Sequence, residues 1–278
     1  MADTIAATDK KTRTFEMAID IDATPEQVWH ALTDAGELVR WFPLDARVKP
    51  GVGGTMFWSW GENWAGEMRI ESWEPHRRLL LTELRQAFDA AGRLLPGEPQ
   101  AMALEFTLET QAGQTRLRLV HSGFGSGENW DDELESTGAG WQHELRSLRH
   151  YVQRHRGHDR HAAFVHLTTP LAQKDVWRRL LSPQGFAVTE GALVEGKHCV
   201  IRAASGESFA GITQLHKPDW DAAVVVDDLD EGLLRLSTWR AAGQTGVQVW
   251  LATWSAAHAA RVQKFHGNAA ALLNMLLA

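Results

Sequence analysis

The sequence predicts an α+β protein of two tandem domains, each a curved antiparallel sheet wrapped on a long C-terminal helix. Three observations predict it. Short segments of two-residue apolar alternation, parted by turn residues, run from Thr14 to His121, after which the period lengthens to helical spacing at Trp141, Leu145, Leu148 and Val152. The same order of elements then starts again beyond residue 162. The chain has 278 residues, more than one ordinary domain.

Residues 1–11 read as a loose leader. Residues 14–20 alternate, with Phe15, Met17, Ile19 and Ile21 on one side, and form a first half-buried strand. Thr24 is a helix cap and Pro25 suits a first helical turn, so a helix follows with Val28, Trp29, Ala31 and Leu32 on its apolar face. A second short helix over 34–39 ends at Trp41-Phe42-Pro43. Gly51-Val52-Gly53-Gly54 turns the chain into a meander: Met56, Trp58 and Trp60 alternate with Thr55, Phe57 and Ser59, and strands at 66–73, 79–84, 102–108 and 115–121 follow. Turns at 61–63, 74–76 and 112–114, and a long hairpin loop marked by Ala90-Ala91-Gly92 and Pro96-Gly97, divide them. A helix over 136–155 then covers the apolar face that such a sheet must bury.

The basic stretch 153–161 reads as the helix end plus a linker, giving domains at 12–155 and 162–278. The second half offers a strand at 163–168, a helix at 170–181 with Val176 and Trp177 inward, and strands at 198–203, 211–215, 222–227, 233–238 and 247–254. A closing helix over 256–277 carries Ala260, Val262, Phe265, Ala269, Leu272 and Leu276. Val28-Trp29 and Val176-Trp177 lie 148 positions apart (177 − 29), so the halves read as a divergent repeat. Trp58, Trp60 and the Trp-Phe-Pro tripeptide lack counterparts.

A formal charge of −7 gives no electrostatic case for nucleic acid. No window reaches the roughly 20 apolar residues of a membrane span, and no signal peptide is read at the N-terminus. The single Cys199 excludes an intrachain disulfide and suits a reducing compartment, with the cytoplasm as the expected location. Thirteen Trp against one Tyr imply wide aromatic-walled interiors, whether core or ligand cavity.

The segment Ile21-Asp22-Ala23-Thr24-Pro25-Glu26-Gln27-Val28-Trp29-His30-Ala31-Leu32-Thr33 resembles the opening of activator-of-Hsp90-ATPase-like domains of the SRPBCC (START-like, birch-pollen-allergen-like) superfamily. Trp41-Phe42-Pro43, Gly53-Gly54, Gly66, Pro75 with Arg77-Arg78-Leu79, the stretch from Thr115 to Phe124 and Gly140-Trp141 follow in that family's order. The resemblance covers roughly 12–153 and implies a helix-grip fold with a cavity between sheet and helix. It implies lipid or polyketide binding, cyclase activity or chaperone activation, because members do each of these.

Trp41, Phe42, Trp58, Trp60, Trp64, Phe106, His121, Trp141 and Leu145 are the candidate ligand-binding residues. They either line an apolar pocket or fill the core. A non-enzymatic binder of a small hydrophobic or amphipathic molecule is the expected function. A chaperone co-factor or protein-interaction module is the alternative, with a hydrolase or cyclase behind it. His121-Ser122 with Glu144 could pair nucleophile and base, but no nucleophile elbow is present and no catalytic residue is assigned. His150, His155, His158, His161 and His166 read as part of a solvated basic linker rather than a metal site, so neither metal nor cofactor is expected. Gly51 to Thr55 lacks the Lys of a phosphate loop. Asp131, Asp132, Glu133 and Glu135 precede the long helix as dipole support, or else meet a basic partner. Gly61-Glu62-Asn63-Trp64 and Gly127-Glu128-Asn129-Trp130 could border one ligand mouth.

Overall fold

A computed structural model describes residues 13–61, 64–86, 89, 91, 93–94, 96 and 99–277, the side chains of 128 and 129 excepted. The expected leader over 1–11 and parts of the turns at 61–63, 90–92 and 96–97 lie outside the described residues.

In the first half, β1 (Arg13–Ile21) leads into α1 (Pro25–Thr33) and α2 (Ala35–Leu38), and six strands follow: β2 (Asp45–Lys49), β3 (Thr55–Ser59), β4 (Ala65–Glu74), β5 (Arg78–Arg85), β6 (Gln100–Gln111) and β7 (Gln114–Phe124). They pair antiparallel in the order β1-β7-β6-β5-β4-β3-β2. Thr24 caps α1 in a full capping box with Gln27, and Pro25 opens it. Gly54 is required at the β2–β3 turn, because a Cβ there would stand 1.9 Å from the Lys49 carbonyl oxygen. The long helix α3 (Glu128–His150) ends in a π turn, Tyr151–His155, and packs on β1 and β7. Gly138 brings α3 close to β1, since a Cβ there would lie 2.9 Å from the Phe15 ring.

The second half repeats the plan. β8 (His161–Thr169) and α4 (Gln173–Leu180) are followed by β9 (Ala187–Glu190), β10 (His198–Ala203), β11 (Ser208–Lys217), β12 (Asp221–Val226), β13 (Gly232–Ala241) and β14 (Gln244–Thr253). The strand order is β8-β14-β13-β12-β11-β10-β9, the same topology, and α5 (Ala259–Leu277) closes on β8 and β14. β1 and β8 keep the 148-position offset of the Val-Trp pairs at both ends (161 − 13 and 169 − 21). The chain is thus two tandem antiparallel sheets, each gripping its own C-terminal helix.

The structure corrects several expected elements. Edge strands β2 and β9 are additional to the expected ones: β2 does alternate, with Ala46 and Val48 between Asp45, Arg47 and Lys49, but over five residues only, and the four residues of β9 are too few to show a period. α3 starts eight residues before the expected position, with Asp131, Asp132, Glu133 and Glu135 inside its first turns rather than ahead of them. Of residues 153–161, read as helix end plus solvated linker, 153, 154 and 156–159 are exposed; the exception is His155, which is buried in the π turn, and β8 begins at His161. Along α5 the buried stripe is Val262, Phe265, Ala269, Leu273 and Leu277, while Ala260 is exposed and Leu272 and Leu276 are half-buried. Among the described residues, no helix is long and apolar enough to cross a membrane.

The two cores meet. Leu233 and Trp254 belong to the second half yet pack into the first core. α3 therefore presents its apolar stripe to the first sheet while its other side reaches β13.

Candidate functional site

The predicted ligand-binding residues converge beneath α3, with one exception. Trp41 and Phe42 leave the end of α2 and stack on each other at 4.9 Å and 18°. Phe42 stacks on Trp141 of α3 at 5.4 Å and meets the edges of Trp58 and Trp60 at 4.9 Å each. Phe106, on β6, meets Trp141 edge-on at 5.8 Å. The strand alternation places Trp58 and Phe106 on the sheet's inner face, and the helical period places Trp141 and Leu145 opposite them. Trp64 departs from the group. It packs edge-on against His166 and Trp239 of the second half, at 5.6 and 6.0 Å.

The polar atoms of this cluster are unevenly matched. Trp41 Nε1 donates to the Ala31 carbonyl at 2.9 Å, and Trp141 Nε1 donates to His121 Nδ1 at 3.1 Å. Burial, with Arg85 nearby, pushes the His121 pKa down to about 3, so its ring is neutral. Accepting at Nδ1 puts the ring proton on Nε2. Trp58 Nε1 is buried with no acceptor among the described residues.

The other motifs resolve differently. Ser122 Oγ donates to the Ala103 carbonyl at 3.5 Å, His121 serves Trp141, and Glu144 faces the second half, so the three form no nucleophile–base relay. Of the histidine run, His155 stacks on Trp254 at 4.4 Å and 8°, and its Nε2 lies 3.2 Å from that of His150, which bonds the Glu231 carbonyl at 2.7 Å. His166 stacks on Trp239. These rings are a seam between the halves, and among the described residues no group of three or more His, Cys, Asp or Glu is placed to hold a metal. The acidic stretch does meet basic partners, and two of them belong to this chain's second half: Asp132 pairs with Arg240 at 3.1 Å and Glu135 with Lys217 at 3.6 Å. Glu133 is buried beside Arg85 at 2.5 Å, and burial raises its pKa. Trp130 packs on Phe124 and over Gly125, so the two Gly-Glu-Asn-Trp turns set their Trp rings on different surfaces; Glu62 and Asn63 lie outside the described residues.

Sequence reasoning missed a charged cluster at the seam. Arg235 of β13 donates to Asp221 Oδ2 of β12 at 2.9 Å and to Glu144 Oε1 of α3 at 3.2 Å. Burial raises both carboxyl pKa values against the pull of Arg235, that of Glu144 to about 7. The available signal was an Arg amid Gly232-Leu-Leu-Arg-Leu, a charge inside an otherwise apolar run at the start of the strand.

Residues 22–153 match the family described as activator of Hsp90 ATPase homolog 1-like protein. No curated protein matches the chain. Among solved structures it is similar to the Aha1 dimer from Colwellia psychrerythraea, at 21% identity over 52% of this chain and 99% of that one, with a TM-score of 0.43. It is also similar to protein MLL2253 from Mesorhizobium loti, at 23% identity over 51% of this chain and 97% of that one, TM-score 0.42. DynU16, a protein of the dynemicin biosynthetic locus, spans both halves: 18% identity, 95% of this chain and 97% of that one, TM-score 0.40.

Proposed function

We propose, from the match of residues 22–153 to the activator of Hsp90 ATPase homolog 1-like family, that the chain is a non-enzymatic binding protein for a small hydrophobic or amphipathic molecule carrying a hydrogen-bond acceptor. The site is the aromatic cluster between the first sheet and α3. One observation carries the reading: Trp58, which meets Phe42 edge to face, has a buried Nε1–H without an acceptor among the described residues. An orphaned buried donor costs about 1–3 kcal/mol, which an acceptor on a ligand recovers. The cluster packs ring on ring, so entry displaces a ring, and half-buried Trp60 at its margin is the one freest to move. The reading takes the two units as 12–155 and 162–278 and places the protein in the cytoplasm, where a lone buried Cys199 stays reduced.

Native mass spectrometry of gently purified protein tests this, with a co-purified small molecule expected. Trp58→Phe keeps the ring and removes the N–H, and is expected to weaken retention of that molecule about tenfold, the worth of one hydrogen bond. Consistent absence of any bound molecule, with no saturable uptake of amphipathic probes, overturns the reading. The family match favours a second reading, a chaperone co-factor acting through the exposed surface. Its test is pull-down with an Hsp90-type chaperone and an ATPase assay; no binding and no change in turnover eliminate it.

A further inference from the structure

We propose that the crevice between the two halves is a binding site for a small monocarboxylate, formate or acetate in size. It adjoins the aromatic cluster at Trp41 but does not rest on the function proposed above. The crevice encloses a cavity of about 20 Å³, lined by Trp41, His143, Glu144, Arg160, Arg235 and Trp250 among others. A space of that size holds one or two waters or a planar group of similar bulk.

Arg160 carries the argument. Its guanidinium lies 4.8 Å over the Trp250 ring and donates to the Phe42 and Pro43 carbonyls. It forms no ion pair with any described carboxylate, and three of its five donors have no described protein partner. A guanidinium held over an indole and fixed by two backbone carbonyls is a preformed fork for a planar carboxylate. A second open group sits beside it. His143 is buried, its Nε2 lies 3.2 Å from Ser147 Oγ, and its Nδ1 has no partner among the described residues.

The charge balance favours an anion. The charged groups facing Glu144 are Arg235 from β13, Asp221 from β12 and Arg160 from the segment before β8; His143 of its own helix lines the same cavity, and Arg146 stands near His143 and Asp221. Burial holds the Glu144 pKa at about 7, and burial keeps His143 neutral. With Arg146 paired to Glu195, protonation of Glu144 leaves Asp221 alone to answer Arg160 and Arg235, and one positive charge remains that a monoanion neutralises. The protonated carboxyl donates to that anion, whereas ionised Glu144 repels it. A phosphate is too bulky for the cavity and too highly charged beside Asp221.

Equilibrium dialysis of the full chain with radiolabelled formate, competed by acetate, tests the site. A ligand of three heavy atoms binds no tighter than about millimolar. One saturable site is expected, with affinity falling about tenfold from pH 6 to pH 8 as Glu144 ionises. Glu144→Gln is expected to bind equally at both pH values. Arg160→Gln is expected to lose at least tenfold, and Arg160→Lys to keep part of the affinity. Circular dichroism checks that each variant is folded. No saturable uptake by the wild type overturns the proposal, as does a folded Arg160→Gln with unchanged affinity. Equal competition by phosphate overturns the assignment to carboxylates. Should Arg160→Gln fail to fold, the wild-type pH profile against that of Glu144→Gln still decides the matter.

Discussion

Trp254 is the side chain on which the joining of the halves depends most, and its removal has a calculable cost. It follows β14, yet it is 5% exposed and packs into the first core. Its ring stacks on His155, lies 6.2 Å from Tyr151, and its Nε1 donates to the Arg40 carbonyl at 2.7 Å. Trp254→Ala deletes a buried aromatic, worth about 3–5 kcal/mol. It also leaves the Arg40 carbonyl without its donor, adding about 1 kcal/mol or more. A total of about 4–6 kcal/mol is a large share of the 5–15 kcal/mol that typically holds a protein folded. At roughly 2–4 °C per kcal/mol, the midpoint falls by about 8–24 °C. Differential scanning calorimetry should show one transition in the wild type. The variant should unfold earlier, in two steps, because the seam no longer couples the halves. Trp254→Phe keeps most of the ring and should cost only about 1–2 kcal/mol. A loss below about 1 kcal/mol in Trp254→Ala, or equal losses in both variants, would refute the assignment of ring packing as the coupling.

Acid should unfold the protein partly through His121. Its folded pKa of about 3 lies below the ordinary 6.5, so its contribution is present above pH 6.5 and declines as pH falls toward 3. The slope reaches about 1.4 kcal/mol per pH unit, and His121→Gln, which keeps an acceptor for Trp141, should flatten it in urea melts run from pH 7 to pH 4. Glu144 acts with the opposite sign. Its folded pKa of about 7 lies above the ordinary 4.5, so stability is full below pH 4.5 and declines as pH rises through 7. Melts between pH 5 and pH 8 should show a decline of about 3 kcal/mol that Glu144→Gln abolishes. Gly54→Ala forces a Cβ against the Lys49 carbonyl and should cost about 1–3 kcal/mol by chemical denaturation.

Local chemistry was legible wherever a short segment decides its own structure. Thr24-Pro25 opens α1 because the cap and the fixed φ act within one turn. Trp58, Phe106, Trp141 and Leu145 could be grouped beforehand because strand and helix periods assign their faces without knowledge of the third dimension. Trp64 was misgrouped because it sits at a turn, where no period assigns a face; its partners are more than 100 positions away in sequence. The seam was illegible for a related reason. Glu144, Asp132 and His155 are ordinary surface types on a helix, and only the docking of a second sheet buries them. A contact between domains leaves no periodic trace in either partner.

What holds the second sheet against α3 follows from comparing magnitudes. The ion pairs Asp132–Arg240, Glu135–Lys217 and Arg146–Glu195 all keep at least one half-exposed partner, and pairs of that kind contribute about 0–1 kcal/mol each. The Arg235–Asp221–Glu144 cluster is buried, but desolvation offsets most of its attraction. Its effect is on register, because any slip strands a charge in the interior. Net stabilisation of the seam therefore falls to Leu233 and Trp254, whose apolar surface enters the first core. α3 completes the first sheet with one face and receives the second sheet on the other. The halves repeat one topology, but their packing does not divide at the chain boundary between them.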